Sequence, residues 1–114
     1  MKRYMTIAFV GCVLAMHLAS AADPVVKVSA LASGEVLLNG KPVSIEQVEA
    51  SFKELSNKQG AVWYYRENPE SEPPPQAMEL IRLVVKYQLP ISMSSKRDFS
   101  DYVDQYGNSR PRQP

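Results

Sequence analysis

Gly34-Glu35-Val36-Leu37-Leu38-Asn39-Gly40-Lys41-Pro42-Val43-Ser44-Ile45-Glu46-Gln47-Val48 is the stretch from which the fold can be read. Val36 to Leu38 is an apolar run that meets Asn39-Gly40, a pair that tolerates positive φ at both positions and so closes a two-residue hairpin. Lys41-Pro42-Val43 returns as a short strand, and the missing amide of Pro42 confines it to a sheet edge. Ser44 and Gln47 then form an S-x-x-Q capping box, in which the hydroxyl satisfies a free first-turn amide and the glutamine reaches back. A helix therefore starts at Ser44. Ile45, Val48, Phe52 and Leu55 follow at spacings of three and four, giving one apolar stripe, and Glu49 and Lys53 are placed for an i, i+4 ion pair on the wet side.

Working outward, Val25-Val26-Lys27-Val28 is β-branched with an alternating face and reads as a strand before the hairpin. The first helix ends near residues 57–60. Ala61-Val62-Trp63-Tyr64-Tyr65-Arg66 is rich in residues that suit a pleated surface and is expected as a central strand. Glu67 to Pro75 is an acidic, proline-stiffened loop. One of its prolines suits the first position of a second helix, expected from about Pro75 to Gln88. Ala77, Met78, Ile81, Val84 and Val85 would face its core, and Glu79, Arg82 and Lys86 its wet side. Leu89-Pro90 stops it, and Ile91 to Ser94 reads as the last strand, with Ile91 and Met93 inward. A disordered tail is expected over 105–114. The fold class is α+β: two layers, with a mixed four-stranded sheet plus a short edge strand and two helices on one face.

The first 22 residues, MKRYMTIAFVGCVLAMHLASAA, have a basic start, an apolar run from Met5 to Leu18 and small residues at Ala19-Ser20-Ala21. This pattern is that of a secretory signal peptide over 1–21. A retained membrane anchor is the alternative, because Tyr4 to Ala22 approaches the length of about 20 residues that a spanning helix needs. Cleavage would leave a 93-residue domain with 11 basic and 12 acidic groups. No basic stripe for nucleic acid is present. The chain's one cysteine, Cys12, and one histidine, His17, both lie in the leader. The remainder thus lacks thiol and imidazole chemistry, disulfides and the usual zinc ligands. Neither an enzyme nor a cofactor is expected, and the disulfide-free exported domain suits a bacterial periplasm.

Partner-binding candidates are Tyr64, Arg66, Glu67, Phe99 and Tyr102. Alternation sends Trp63 and Tyr65 to one face of the sheet and Tyr64 and Arg66 to the other. If Tyr64 and Arg66 face away from the helices, they offer the aromatic and arginine anchors common at interfaces; the plainer reading is an amphipathic strand. Glu67 opens the acidic loop, either a solvated connection or a stiff arm for a basic partner. Phe99 and Tyr102 either begin an ordinary tail or dock a short turn onto the domain or a second copy.

The run from Gly34 to Ser44, the amphipathic helix after it and Val62-Trp63-Tyr64-Tyr65-Arg66-Glu67 together resemble the periplasmic domain of the ExbD/TolR biopolymer-transport family. The likeness spans about Val26 to Ser94, within a domain placed at 22–104. It implies a homodimeric coupling module that works with a TonB-like or ExbB/TolQ-like protein, or with the cell wall, in biopolymer transport or envelope energy transduction. Proton-coupled members carry an acidic residue in a single transmembrane helix, whereas Tyr4 to Ala22 here holds none. Glu67 and Asn68 also depart from the family pattern of a small and then an acidic residue after the arginine. The readings that compete with an exported domain are a membrane-anchored ExbD-type subunit with its leader uncleaved, and a periplasmic inhibitor or adaptor.

Overall fold

The computed structural model describes residues 24–113. The expected leader lies outside them. In chain order the elements are β1 (Val25–Ala30), β2 (Val36–Leu38), β3 (Lys41–Val43), α1 (Ile45–Asn57), β4 (Ala61–Arg66), α2 (Pro75–Lys86), β5 (Ile91–Ser94), β6 (Asp101–Val103) and β7 (Ser109–Pro111). A five-stranded mixed sheet has the order β3-β2-β1-β4-β5, and β6 and β7 form a separate antiparallel pair. The α+β class, the two helices and the proline-bearing edge strand are as the sequence predicts.

The hairpin closes through Asn39 at φ 52 and Gly40 at φ 86, the left-handed pair a two-residue turn demands. Asn39 also holds β1: its Oδ1 accepts from Lys27 N–H at 3.0 Å, and its own N–H donates to Lys27 C=O at 2.7 Å. At the start of α1 the capping box is complete, with Gln47 N–H donating to Ser44 Oγ at 3.1 Å and Ser44 N–H donating to Gln47 Oε1 at 2.8 Å. Both helices end alike, with a glutamine in the left-handed region: Gln59 at φ 57 and Gln88 at φ 52. The next amide then reaches back in each case, Gly60 N–H to Leu55 C=O and Leu89 N–H to Val84 C=O, both at 3.0 Å.

The core lies between the helices and one face of the sheet. Val48, Phe52 and Leu55 of α1 and Ala77, Leu80, Leu83 and Val84 of α2 pack on Val28, Ala30, Val36, Val62 and Tyr64. Phe52, Val28, Val48, Val62 and Leu83 are wholly buried, and removing one such side chain from water is worth about 1.5–3 kcal/mol. Gly60 lets α1 turn into β4. A Cβ there would sit 2.2 Å from Leu55 Cδ1 and 2.7 Å from Pro24 O.

Four expectations are corrected. Glu49 does not pair with Lys53. It ties the helices together by accepting from Lys86 Nζ at 2.6 Å and from Tyr87 Oη at 2.7 Å, and these two bonds hold its carboxyl below the ordinary range. The inward face of α2 is rotated from the expected one: Leu80 and Leu83 are buried, while Met78, Ile81 and Val85 are exposed. Ile91 and Met93 lie on the helix side of the sheet but remain 39% and 42% exposed, because α2 does not cover the outermost strand. The segment expected to be a disordered tail instead turns at Gly107 and returns as β7, pairing Asp101 with Pro111, Tyr102 with Arg110 and Val103 with Ser109.

Candidate binding surface

Strand β4 sorts the candidate residues between two faces. Register places Val62 beside Ile91 and Tyr64 beside Met93 on the helix side, and Trp63 beside Ser92 and Tyr65 beside Ser94 on the other. Tyr64 therefore does not face away from the helices. It is 4% exposed within the core, and burial raises its phenol pKa against a smaller opposing effect of Arg66. The physical reason is alternation: with Val62 wholly buried under the helices, the period of two puts Tyr64 on the same face.

On that side a groove of about 290 Å³ runs between α2 and the outer strands, lined by Tyr64, Arg66, Pro73, Met78, Ile81 and Met93. A second hollow, about 240 Å³, continues past Arg66 and Met93 to Val103. Arg66 stands between the two. Its guanidinium donates to Ser71 C=O, and its Nε is buried without a hydrogen-bond partner among the described residues. The flank of α2 beside the groove carries Met78, Ile81 and Val85, with Val85 69% exposed. Single apolar residues on a surface are unremarked, but Met78, Ile81 and Met93 share the groove, and with the exposed Val85 and Ile91 on the same two elements they are the kind of group that marks a contact surface.

The backbone of β5 extends this surface. Val62 N–H donates to Pro90 C=O at 2.9 Å, so the period of two turns the polar groups of Pro90, Ser92 and Ser94 toward β4 and those of Ile91 and Met93 outward. Strand β5 is last in the order of the five-stranded sheet; β6 packs against it without joining its ladder, and an unpaired strand edge is a template for an added strand.

Two of the remaining candidates, Glu67 and Phe99, make contacts within the domain. Glu67 accepts from Ala32 N–H at 2.8 Å and from Arg97 at 2.8 Å, pinning the β1–β2 connection and the segment after β5 to the end of β4. Phe99 is 8% exposed and meets Tyr65 edge to face, with ring centroids 6.4 Å apart. Tyr102 is 37% exposed on β6. The structure thus brings Tyr64 and Arg66 together at the groove and places Glu67, Phe99 and Tyr102 outside it. Met78, Ile81, Val85, Ile91 and Met93 are the surface residues that sequence reasoning missed. The available signal was an excess: residues 77–85 contain more large apolar side chains than one face of a helix can bury.

Among the described residues no helix is long and apolar enough to cross a membrane, and no group of three His, Cys, Asp or Glu side chains is placed to hold a metal ion. The chain matches no protein-family model, and no curated protein is significantly similar to it.

Proposed function

We propose that the chain is an exported, ExbD/TolR-like periplasmic module that binds and couples rather than catalyses, acting in biopolymer transport or envelope energy transduction. In this reading it works as a homodimer with a TonB-like or ExbB/TolQ-like protein. The observation that carries it is the exposed apolar flank: Met78, Ile81 and Val85 on α2 beside Ile91 and Met93 on the outermost strand of the five-stranded sheet. A self-contained domain gains nothing by leaving that group in water, whereas a partner strand or helix would bury it. The element order of hairpin, capped helix, strand, helix and strand also agrees with the arrangement the resemblance implies.

Placing a photo-crosslinking amino acid at Val85, and separately at Lys53 on the opposite helix, in the full chain within its native cells tests the reading. The expected result is a covalent adduct from position 85, and none from position 53, containing a second copy of the chain or an ExbB/TolQ-like or TonB-like protein. An adduct with a soluble enzyme, or equal yields from both positions, would overturn it.

A further inference from the structure

The sheet face away from the helices carries a second arrangement, unrelated to the apolar edge. Trp63 lies on this face with Arg112 stacked over it, the guanidinium carbon 3.8 Å from the ring centroid. All three nitrogen positions of that guanidinium are directed at acceptors. Nε donates to Phe99 C=O at 3.0 Å, Nη1 to Ser92 Oγ at 3.1 Å and Nη2 to Ser94 Oγ at 2.8 Å. The Tyr102 ring stands 5.9 Å away. Of the charged groups around the slot, Lys27 reaches Trp63 at 5.6 Å; burial lowers the Arg112 pKa, and the Asp101 carboxylate opposes that. A planar cation read on one face by an indole and along its rim by three neutral acceptors is a guanidinium site; an ammonium group can lie over the ring but cannot fill the fork.

The segment that delivers Arg112 is held by side chains more than by its backbone ladder. Every residue of β7 is exposed, and β7 pairs only with β6, through three residue pairs. Arg112 adds one backbone bond, donating its N–H to Ser100 C=O at 3.1 Å. A two-stranded ladder of this length is marginal by itself, and side chains anchor it: Ser109 Oγ donates to Asp101 Oδ2 at 2.7 Å and Arg110 Nε to Asp104 Oδ2 at 3.0 Å, ties that a replacing strand would have to match. Trp63, Ser92 and Ser94, by contrast, sit on the rigid five-stranded sheet.

We propose that this slot is a recognition site for an arginine-bearing extended segment, that Arg112 occupies it in cis, and that a partner segment pairing with β6 can replace β7 and insert its own arginine over Trp63. The partner is thus defined chemically, as an extended peptide with an arginine just beyond its strand-pairing residues. The surface is separate from the apolar edge, and the inference stands whether or not the ExbD/TolR-like reading does.

Trp63 is the chain's single tryptophan, so its fluorescence reports on the slot directly. The probe is a capped peptide with the sequence of residues 108–113, titrated into the full chain and into its Arg112→Ala variant. The expected result is saturable quenching of Trp63 in the variant, at least tenfold weaker binding to the unaltered chain, and at least tenfold weaker binding of a peptide carrying Arg112→Ala. No saturable change in a variant that keeps its far-UV circular dichroism, equal binding to variant and unaltered chain, or equal binding of both peptides would overturn the proposal. Should Arg112→Ala fail to fold, Arg112→Lys keeps the charge and stem while losing the fork, and the same three criteria apply to it.

Discussion

Replacing Asp101 by Asn should remove a stabilisation whose size depends on pH in a way that only a buried, hydrogen-bonded carboxylate produces. Asp101 is 2% exposed. Its Oδ1 accepts from Ser95 N–H at 3.0 Å and Lys96 N–H at 3.3 Å, and its Oδ2 from Ser95 Oγ at 2.6 Å and Ser109 Oγ at 2.7 Å. Burial alone would raise its pKa, but these donors together bring it down to about 2, from 3.8. A shift of that size corresponds to about 2.5 kcal/mol favouring the folded state when the group is ionised. The contribution is complete above the unfolded-state pKa and disappears as pH falls from about 4 through about 2, because the depressed carboxyl must then take up a proton. Asn keeps the Oδ1 acceptor, and both serine hydroxyls can turn to accept from its amide, so the variant loses mainly the charge. Urea unfolding followed by Trp63 fluorescence and far-UV circular dichroism should show Asp101→Asn less stable by about 1–2.5 kcal/mol at pH 7, with the gap closing toward pH 2. A gap that stays the same at pH 7 and pH 2.5 would refute the reasoning, as would a carboxyl resonance for Asp101 titrating above pH 3.5.

Three further outcomes follow from local geometry. Gly60→Ala should destabilise by about 1–3 kcal/mol, since its methyl group meets both Leu55 and the Pro24 carbonyl; chemical denaturation midpoints at constant slope check this. Ser44→Ala removes the acceptor for Gln47 N–H and should cost about 1 kcal/mol by the same measurement. Gln88→Gly should instead stabilise by about 0.5–1 kcal/mol, because the exposed glutamine holds φ 52 at a helix end where glycine carries no Cβ penalty, and a raised thermal midpoint is the readout.

The elements that were legible in the sequence are those whose signals are local. Asn39-Gly40 and the Ser44–Gln47 box specify their own geometry within four residues, so the hairpin and the start of α1 are found where expected. The face of α2 was not legible. Its apolar residues cover more than half its circumference, and only the sheet decides that Leu80 and Leu83 go inward while Met78 and Val85 stay out. Strand β4 presented the same difficulty in another form, because alternation fixes that Tyr64 and Tyr65 diverge but not which of them meets the helices. The β6–β7 pair was invisible for a different reason. It is held by the buried Asp101, by serine hydroxyls and by Arg112, residue types that composition reads as solvated tail. For the candidate surface, Tyr64 and Arg66 were named for a face they do not occupy, yet both line the groove that the uncovered edge creates.

The central position of β1 has a mechanical consequence. Six residues of β1 pair in parallel with β4, and three of these also pair with β2 on the other side. A pull along β1 from the chain before Pro24, resisted at the far end of the sheet, would load both ladders in shear. Their hydrogen bonds would then share the load and have to fail together, whereas a hairpin pulled from its open ends unzips one bond at a time. Under tension from that side the sheet is a clamp, while the β6–β7 pair takes no part in either ladder.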